Sequence, residues 1–362
     1  MIKEVVFMRF SVIGVGASGT LMSIILKSNG HTVHAMDIDK EKVAALKALP
    51  EWKATGKTEA SAKPDLVTDD TVECIEGTDY IMVCTTTDAH ADVAAAIAKA
   101  VKPEQTVILN PGHVGGVLNF RTALTAAGCK KLPRICEAAD MMFACRTMEI
   151  GHTFHSGVKS RILLASIPAS NAAVVAEELK DVFPCYVPAE SVLVTGLSGG
   201  SGMLHSIPCT LNMNKIELKQ PFDYYIEGLT PGICRVIEAA DAERIAVCDA
   251  IGVKVEPLLP HLKAVYKLEP DNLYDAIQSC TPYKGIKSPM NTNHRFMQED
   301  TLCDLVPTAS IGKMLGVPTP VLDMIIDLES LMLGKDFKGE GRTVEKLGLA
   351  GKSVEEIHSM VM

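Results

Sequence analysis

Basic residues are in deficit: 35 lysines and arginines stand against 44 aspartates and glutamates, a formal net charge of -9. The cations are scattered rather than gathered into a stripe, so the chain would repel a polyphosphate, and nucleic acid is not expected as a partner. Long apolar runs are missing too. No stretch approaches the roughly 18 uninterrupted apolar residues of a membrane helix, and Ile2 to Gly14 carries Lys3, Glu4 and Arg9 without a small-residue cleavage site. Neither a membrane span nor export is expected, and the default location is cytoplasmic. There is no low-complexity tract, and 47% apolar with 22% charged residues excludes the disordered and fibrous classes. The 11 cysteines include no C-x-x-C pair, which makes them small buried hydrophobes of a reducing compartment. The H-x-x-H pairs His31/His34 and His152/His155 lack a third ligand at metal spacing, so no metal site is expected.

What remains is an ordinary globular chain of 362 residues, long enough for two domains at about 150 residues each. Arg9 to Ile13 (RFSVI) has strand character, GVGASG follows from Gly14 to Gly19, and TLMSIILKSNG then has the apolar spacing of a helix that stops at Gly30. A second strand ends at Asp37, eighteen residues beyond Gly19. Strand, glycine turn, helix and acid at that distance form the dinucleotide-binding fingerprint. Gly14 permits the tight turn, Gly16 the approach of a pyrophosphate, and Gly19 the close packing of helix on strand. Ala17 opens the helix, whose free N–H groups favour phosphate. Asp37 can accept both ribose hydroxyls of NAD and would repel the 2′-phosphate of NADP, so NAD is expected and NADP is the lesser alternative.

Strands and helices alternate through TDYIMVCT, DAHADVAAAIAKAV, TVILNPG and RICEAA, and again through SRILLASIP and NAAVVAEELKDVF to CYVPAE. That rhythm predicts an α/β fold: a Rossmann-type parallel sheet wound on both faces. Ligands lie beyond the C-terminal strand ends of such sheets. Thr85 and Asn110 are therefore expected on the cofactor side, or else as a helix cap and a turn residue. The boundary is placed at 187/188, with an all-α domain following over 188–362. There PGICRVIEAADAERIAVCDAIG starts on Pro231, carries Ile233, Ile237, Ala240 and Ile245 on one stripe, and stops at Gly252. Pro320 to Leu333 is a second apolar helix, core or dimer interface, and Ser353 opens a capping box.

The segment GLSGGSGMLHSIPCTLN carries a lone histidine, His205. Beside apolar residues such a histidine is commonly structural. Pro208 cannot donate to the Leu204 carbonyl, so a helix here is expected to kink or stop, and Gly199, Gly200 and Gly202 would admit another backbone or a ligand.

Read together, HRFMQEDTLCDLVPTASIGKMLGVPTP, YYIEGLTPGICRVIEAADAERIAVCDAIGV, DFKGEGRTVEKLGLAG, the GVGASG turn, ILNPG and His205-x-x-Pro208 followed by LNMNKIE resemble the octopine/nopaline (opine) dehydrogenase family over nearly the whole chain. The resemblance implies reductive condensation of an amino acid with an α-keto acid, with NAD(P)H as the reductant. It also implies that His205 and Asp300 form the acid/base pair and that Arg295, five positions before Asp300, holds a substrate carboxylate. A histidine near its ordinary pKa of about 6.5 suits a proton that must leave an ammonium and reach a departing hydroxyl. Two substrate carboxylates need more than Arg295, and Arg146, Arg235 and Arg342 are the further candidates. Where the family often has a proline after the Glu-Asp pair this chain has Thr301-Leu302-Cys303, which bears on substrate choice. A 2-oxoacid or ketone reductase on the same plan, and a non-catalytic NAD-binding redox sensor, are the alternative readings.

Overall fold

In a computed structural model residues 7–362 are described, the side chain of Ser201 excepted; Lys3 and Glu4 lie outside them. The chain divides into two compact units. The first comprises residues up to Gly112, Gly116–Thr195 and His358–Met362; the second comprises His113–Gly115 and Gly196–Ile357. The division thus falls eight residues after the expected boundary at 187/188, and two short segments change sides.

The first unit is built on β1 (Arg9–Ile13), β2 (Thr32–Met36), β3 (Trp52–Gly56), β4 (Ala60–Ala62), β5 (Leu66–Thr68), β6 (Tyr80–Val83), β7 (Thr106–Leu109), β8 (Arg134–Ala138), β9 (Phe143–Glu149), β10 (His152–Val158), β11 (Ile162–Ile167) and β12 (Tyr186–Pro188). Eight of them form one sheet in the order β12-β11-β8-β7-β6-β1-β2-β5. From β5 to β8 the pairing is parallel in the order of a dinucleotide-binding fold. The central strands β6 and β7 are buried along their whole length, as strands covered on both faces must be. The expected parallel sheet is present from β5 to β8, with one addition at its edge: β11 runs antiparallel to β8. The sequence from β8 reaches β11 by way of a hairpin rather than a crossover helix. That hairpin, β9 and β10, joins β3 and β4 in a second, four-stranded sheet that the helical rhythm concealed. His152 and His155 lie on β10 and hydrogen-bond Thr55 and Thr58.

The second unit is helical. Thr230 caps the helix Pro231–Ala250 through the Ile233 N–H, with Pro231 in the first turn. Its buried face runs through Cys234, Ile237, Ala240, Asp241, Arg244, Val247 and Cys248, so Ile233 and Ile245 stand at the edges of the expected stripe. Around it pack Ser201–Leu211, Val306–Leu315 and Pro320–Leu333, over a core that includes Ile207, Tyr224, Leu305 and Ile326. The capping box at Ser353 closes in both directions, at 2.7 and 3.2 Å. Among the described residues no disulfide joins the cysteines, and no helix is long and apolar enough to cross a membrane.

Gly14 takes a φ of +91°, which a side chain would strain. A Cβ on Gly19 would stand 2.0 Å from the Gly14 carbonyl oxygen. Gly19→Ala is therefore expected to cost about 1–3 kcal/mol in denaturant unfolding. Gly16→Ala, whose Cβ meets no atom within 4 Å, should cost clearly less; equal losses would refute this account of the turn.

Candidate functional site

In the first unit the turn after β1 and the end of β6 flank the switch point, where the chain order of the sheet reverses. The first helix, Ala17–Ser28, starts on Gly16 with no side-chain cap, so its opening N–H groups meet no side-chain oxygen. Nothing fills the space over Gly16, as a backbone approached by a pyrophosphate requires. Thr85 lies against Gly14, and its Oγ1 is buried without a hydrogen-bond partner. Asp37 accepts from the Val15 N–H at 3.2 Å and the Asp39 N–H at 3.1 Å, so its carboxylate is fixed beside the turn. Lys42 Nζ reaches the same carboxylate at 2.6 Å. An open turn, an uncapped helix start, an orphaned hydroxyl and a fixed acid fit a dinucleotide. Asn110 does not join them. It is fully buried, donates to the Ile108 carbonyl and accepts from Tyr186 Oη at 2.8 Å, so the expectation that its side chain reaches a cofactor is corrected to a structural role.

In the second unit His205 and Asp300, 95 positions apart, meet at 3.3 Å between Nδ1 and Oδ1. The other ring nitrogen, Nε2, lies 3.0 Å from Tyr225 Oη. Burial pushes the Tyr225 phenol well up, so it keeps its proton and donates. A hydrogen on Nδ1, given to Asp300, then satisfies both contacts. Phe296 stacks on the imidazole with ring centres 3.8 Å apart and holds its plane. Asp300 is 1% exposed and its Oδ2 has no hydrogen-bond partner. Burial alone would raise its pKa; the contact with His205 and the charges of His113 and Arg295 outweigh it, and the net direction is down.

Local chain chemistry produces this pairing. Helix Ser201–Leu211 runs on through Pro208 rather than stopping beside His205. The Leu204 carbonyl, which Pro208 cannot serve, accepts from Tyr224 Oη at 3.2 Å, and the same hydroxyl lies 2.7 Å from the His205 carbonyl. The neighbouring glycines admit protein side chains, not a ligand: a Cβ would stand 2.6 Å from Leu258 at Gly200 and 2.6 Å from Asp304 at Gly202. Asp300 ends the helix Arg295–Asp300 and leads into a π-helical turn, Thr301–Leu305, a distortion often found at functional sites.

Sequence reasoning overlooked His113, Asp304 and Tyr225, and took Glu299 only as a surface partner of Arg295 at i, i+4 spacing. His113 sits at φ +56°, with Nδ1 2.8 Å from Asp304 and Nε2 3.8 Å from Glu299. Its place directly after the strand-end N-P-G was the one available signal; Tyr225 had none. Burial pushes the His113 pKa down, but Asp304, Glu299 and Asp300 outweigh that and raise it to about 9, so it is an imidazolium near neutrality. Arg295 is half exposed, with Nη1 3.6 Å from Glu299, and its guanidinium stands over Phe296. Of the other candidates, Arg342 is buried and donates to the Val114 carbonyl, Arg235 is exposed, and Arg146, in the first unit, lies over Phe154. His113, Asp300 and Asp304 also bring three ligand atoms within 4.8 Å of one another. The His113 proton occupies that space, which argues against a cation.

The chain is 36% identical to the opine dehydrogenase of Arthrobacter sp. (strain 1C), over 97% of this chain and 98% of the relative. It belongs to the opine dehydrogenase family. Residues 188–333 match the family model for the α-helical domain of NAD/NADP octopine/nopaline dehydrogenase, and residues 10–112 match that for ketopantoate reductase PanE/ApbA. An octopine dehydrogenase solved with NADH and L-arginine has the same fold, with a TM-score of 0.80 at 19% identity, covering 97% of each chain. A yersinopine dehydrogenase with NADP+ bound superposes with a TM-score of 0.76 at 15% identity, over 98% of this chain and 97% of the other. As an opine dehydrogenase family member the protein is an NAD(P)-dependent oxidoreductase acting on CH–NH donors.

The raised pKa of His113 has a sign. Its proton stabilises the fold fully below the ordinary value of about 6.5, and that contribution is lost as pH rises through about 9. His113→Gln should therefore lie further below the wild type in melting temperature at pH 6 than at pH 10. A gap independent of pH would show that His113 is not the charged group described.

Proposed function

We propose that the protein condenses the amine of an amino acid with the carbonyl of an α-keto acid and reduces the resulting imine with NADH, giving an N-(carboxyalkyl)amino acid, and that His205 and Asp300 move and hold the protons. The observation that carries this reading is the His205–Asp300 contact, with Asp300 buried to 1% exposure and its carboxylate kept ionised by surrounding cations.

His205 Nε2 takes a proton from the substrate ammonium, which frees the amine lone pair for attack on the keto carbon. The imidazolium so formed is stabilised by Asp300 across the Nδ1 hydrogen bond. It then returns the proton to the hydroxyl of the carbinolamine, which leaves as water, and the C=N bond forms. NADH, when bound, would supply the hydride that reduces the imine. Arg295, half exposed and close to Phe296, offers a planar fork to a substrate carboxylate. Tyr225 must surrender Nε2 to the ammonium, and its hydroxyl keeps that nitrogen hydrogen-bonded until then.

Asp37 would hold the ribose hydroxyls, Gly14, Gly16, Ala17 and Gly19 the pyrophosphate, and Thr85 Oγ1 a further polar atom of the cofactor. Lys42 tempers the charge at Asp37, yet its 2.6 Å contact ties it to that carboxylate, which favours NAD over NADP. Asp37→Ala should raise KM for NADH about tenfold or more, the loss of a hydrogen-bonded charge, while NADPH improves relative to NADH. An unchanged ratio would remove Asp37 from the cofactor site.

His205→Ala and Asp300→Asn should each lower kcat about 10²–10⁴-fold, and the Asn variant should displace the acid limb of the pH profile. Asp300→Asn with wild-type activity and profile would sink the pairing. A panel of amino acids against pyruvate-like keto acids, followed by NADH loss and product mass, tests the reaction itself. Turnover with the keto acid alone would point to a simple 2-oxoacid reductase, and binding of NADH without any turnover to a sensor.

A further inference from the structure

Glu329 is fully enclosed on the inner side of helix Pro320–Leu333. Its Oε2 lies 2.9 Å from Ser206 Oγ and 2.7 Å from Thr301 Oγ1, and those two hydroxyl oxygens are 2.5 Å from each other. Ser206 follows His205 in the chain, and Thr301 follows Asp300. One carboxyl group on a third helix therefore contacts the residues next to both members of the acid/base pair.

The three oxygens make three short contacts, and each contact needs a hydrogen between its atoms. Ser206 and Thr301 carry one hydroxyl hydrogen each. An ionised Glu329 would leave one of the three contacts without a hydrogen of its own, which favours a third hydrogen on the carboxyl group. Oε1 is buried without a hydrogen-bond partner, a costly place for negative charge.

The groups around Glu329 agree. The His205 helix presents Ser206, Thr210 and the Cys209 thiol, and the Asp300 segment presents Thr301 and the Asp300 carboxylate, a like charge. From Pro231–Ala250, Glu243 accepts the Val321 and Leu322 N–H groups at the start of the Glu329 helix. Lys338, on the short helix Phe337–Glu340, is turned to Asp323 and Asp327. Among the described residues no ion pair involves Glu329. Burial, with Asp300 adding to it, outweighs the hydroxyls and raises its pKa to about 7.

We propose that Glu329 is a positioning residue of the reaction, which holds a proton on the acid side of neutrality and uses it to lock the helix of His205 to the helix of Asp300. The proposal rests on those two residues as the acid/base pair. When Glu329 ionises, the third hydrogen is lost and a second negative charge appears beside Asp300, so the geometry of the pair loosens on the alkaline side.

The test compares Glu329→Gln with Glu329→Ala. Glutamine can donate to both hydroxyls and stays neutral, so E329Q should keep kcat within about threefold at pH 6 and carry its activity further into the alkaline range than the wild type. E329A should lose kcat at least about tenfold with KM for NADH nearly unchanged. The wild-type protein should also show the infrared carbonyl band of a protonated buried carboxyl at pH 6, absent from E329Q and fading as pH rises. Loss of kcat in E329Q equal to that in E329A, an identical alkaline limb in E329Q, or no such band in the wild type would each overturn the proposal. The band needs no turnover, so it separates failure of this proposal from failure of the His205–Asp300 assignment, which His205→Ala reports.

Discussion

Two prolines inside helical segments shape the helical unit around its site. Each lacks the N–H that would serve the carbonyl four residues earlier, and a buried carbonyl must find a donor somewhere. Pro208 leaves the Leu204 carbonyl to Tyr224 Oη, and Tyr225, the next residue, then reaches His205 Nε2. Pro307 leaves the Cys303 carbonyl, which accepts from the Val114 N–H at 3.1 Å, and the preceding residue, His113, then reaches Asp304. In both cases the missing backbone hydrogen bond is replaced by one from a distant segment, and that segment delivers a polar side chain to the cluster around His205 and Asp300. The distortion that sequence reasoning took for a break is an attachment point.

The same constraint explains what was legible beforehand. The glycine turn, the acid after β2, the helix start at Pro231 and the capping box at Ser353 are local devices, written in residues close together in the chain, and they appear where expected. His205, Asp300 and Arg295 could be singled out by family resemblance, yet nothing within either segment fixes a contact across 95 positions. Tyr225 and His113 arrive because of carbonyls exposed elsewhere, and no periodicity records that. The second sheet escaped for a different reason. Its strands β3 and β4 are separated from β9 and β10 by much of the first unit, and strand pairing at that separation leaves only short ambiguous runs in the sequence.

Asn110 and the glycines near His205 teach a related point about polar and small residues. A residue at a strand end is placed near a ligand by topology, but Tyr186 had the nearer claim on the Asn110 amide. Gly200 and Gly202 mark close approach, as glycines do, and what approaches is Leu258 and Asp304. Small residues announce that space is needed without saying who takes it.

The helical unit finally separates two buried carboxyl groups by their company. Asp300 has a hydrogen bond from His205 and the cations His113 and Arg295 near it, and these hold it ionised against the cost of burial. Glu329, as deeply enclosed, has hydroxyls and the charge of Asp300 itself, and its pKa moves the other way, to about 7. Divergent carboxyl groups of this kind commonly divide acid from base in enzyme sites. In the roles proposed for them they divide charge from structure: one carboxyl is negative beside an imidazole, and the other is neutral because a second negative charge in that space would disturb the alignment of the first. The cations therefore belong on one side only, and His113, drawn in through the Cys303 carbonyl, is the one that the helices themselves do not supply.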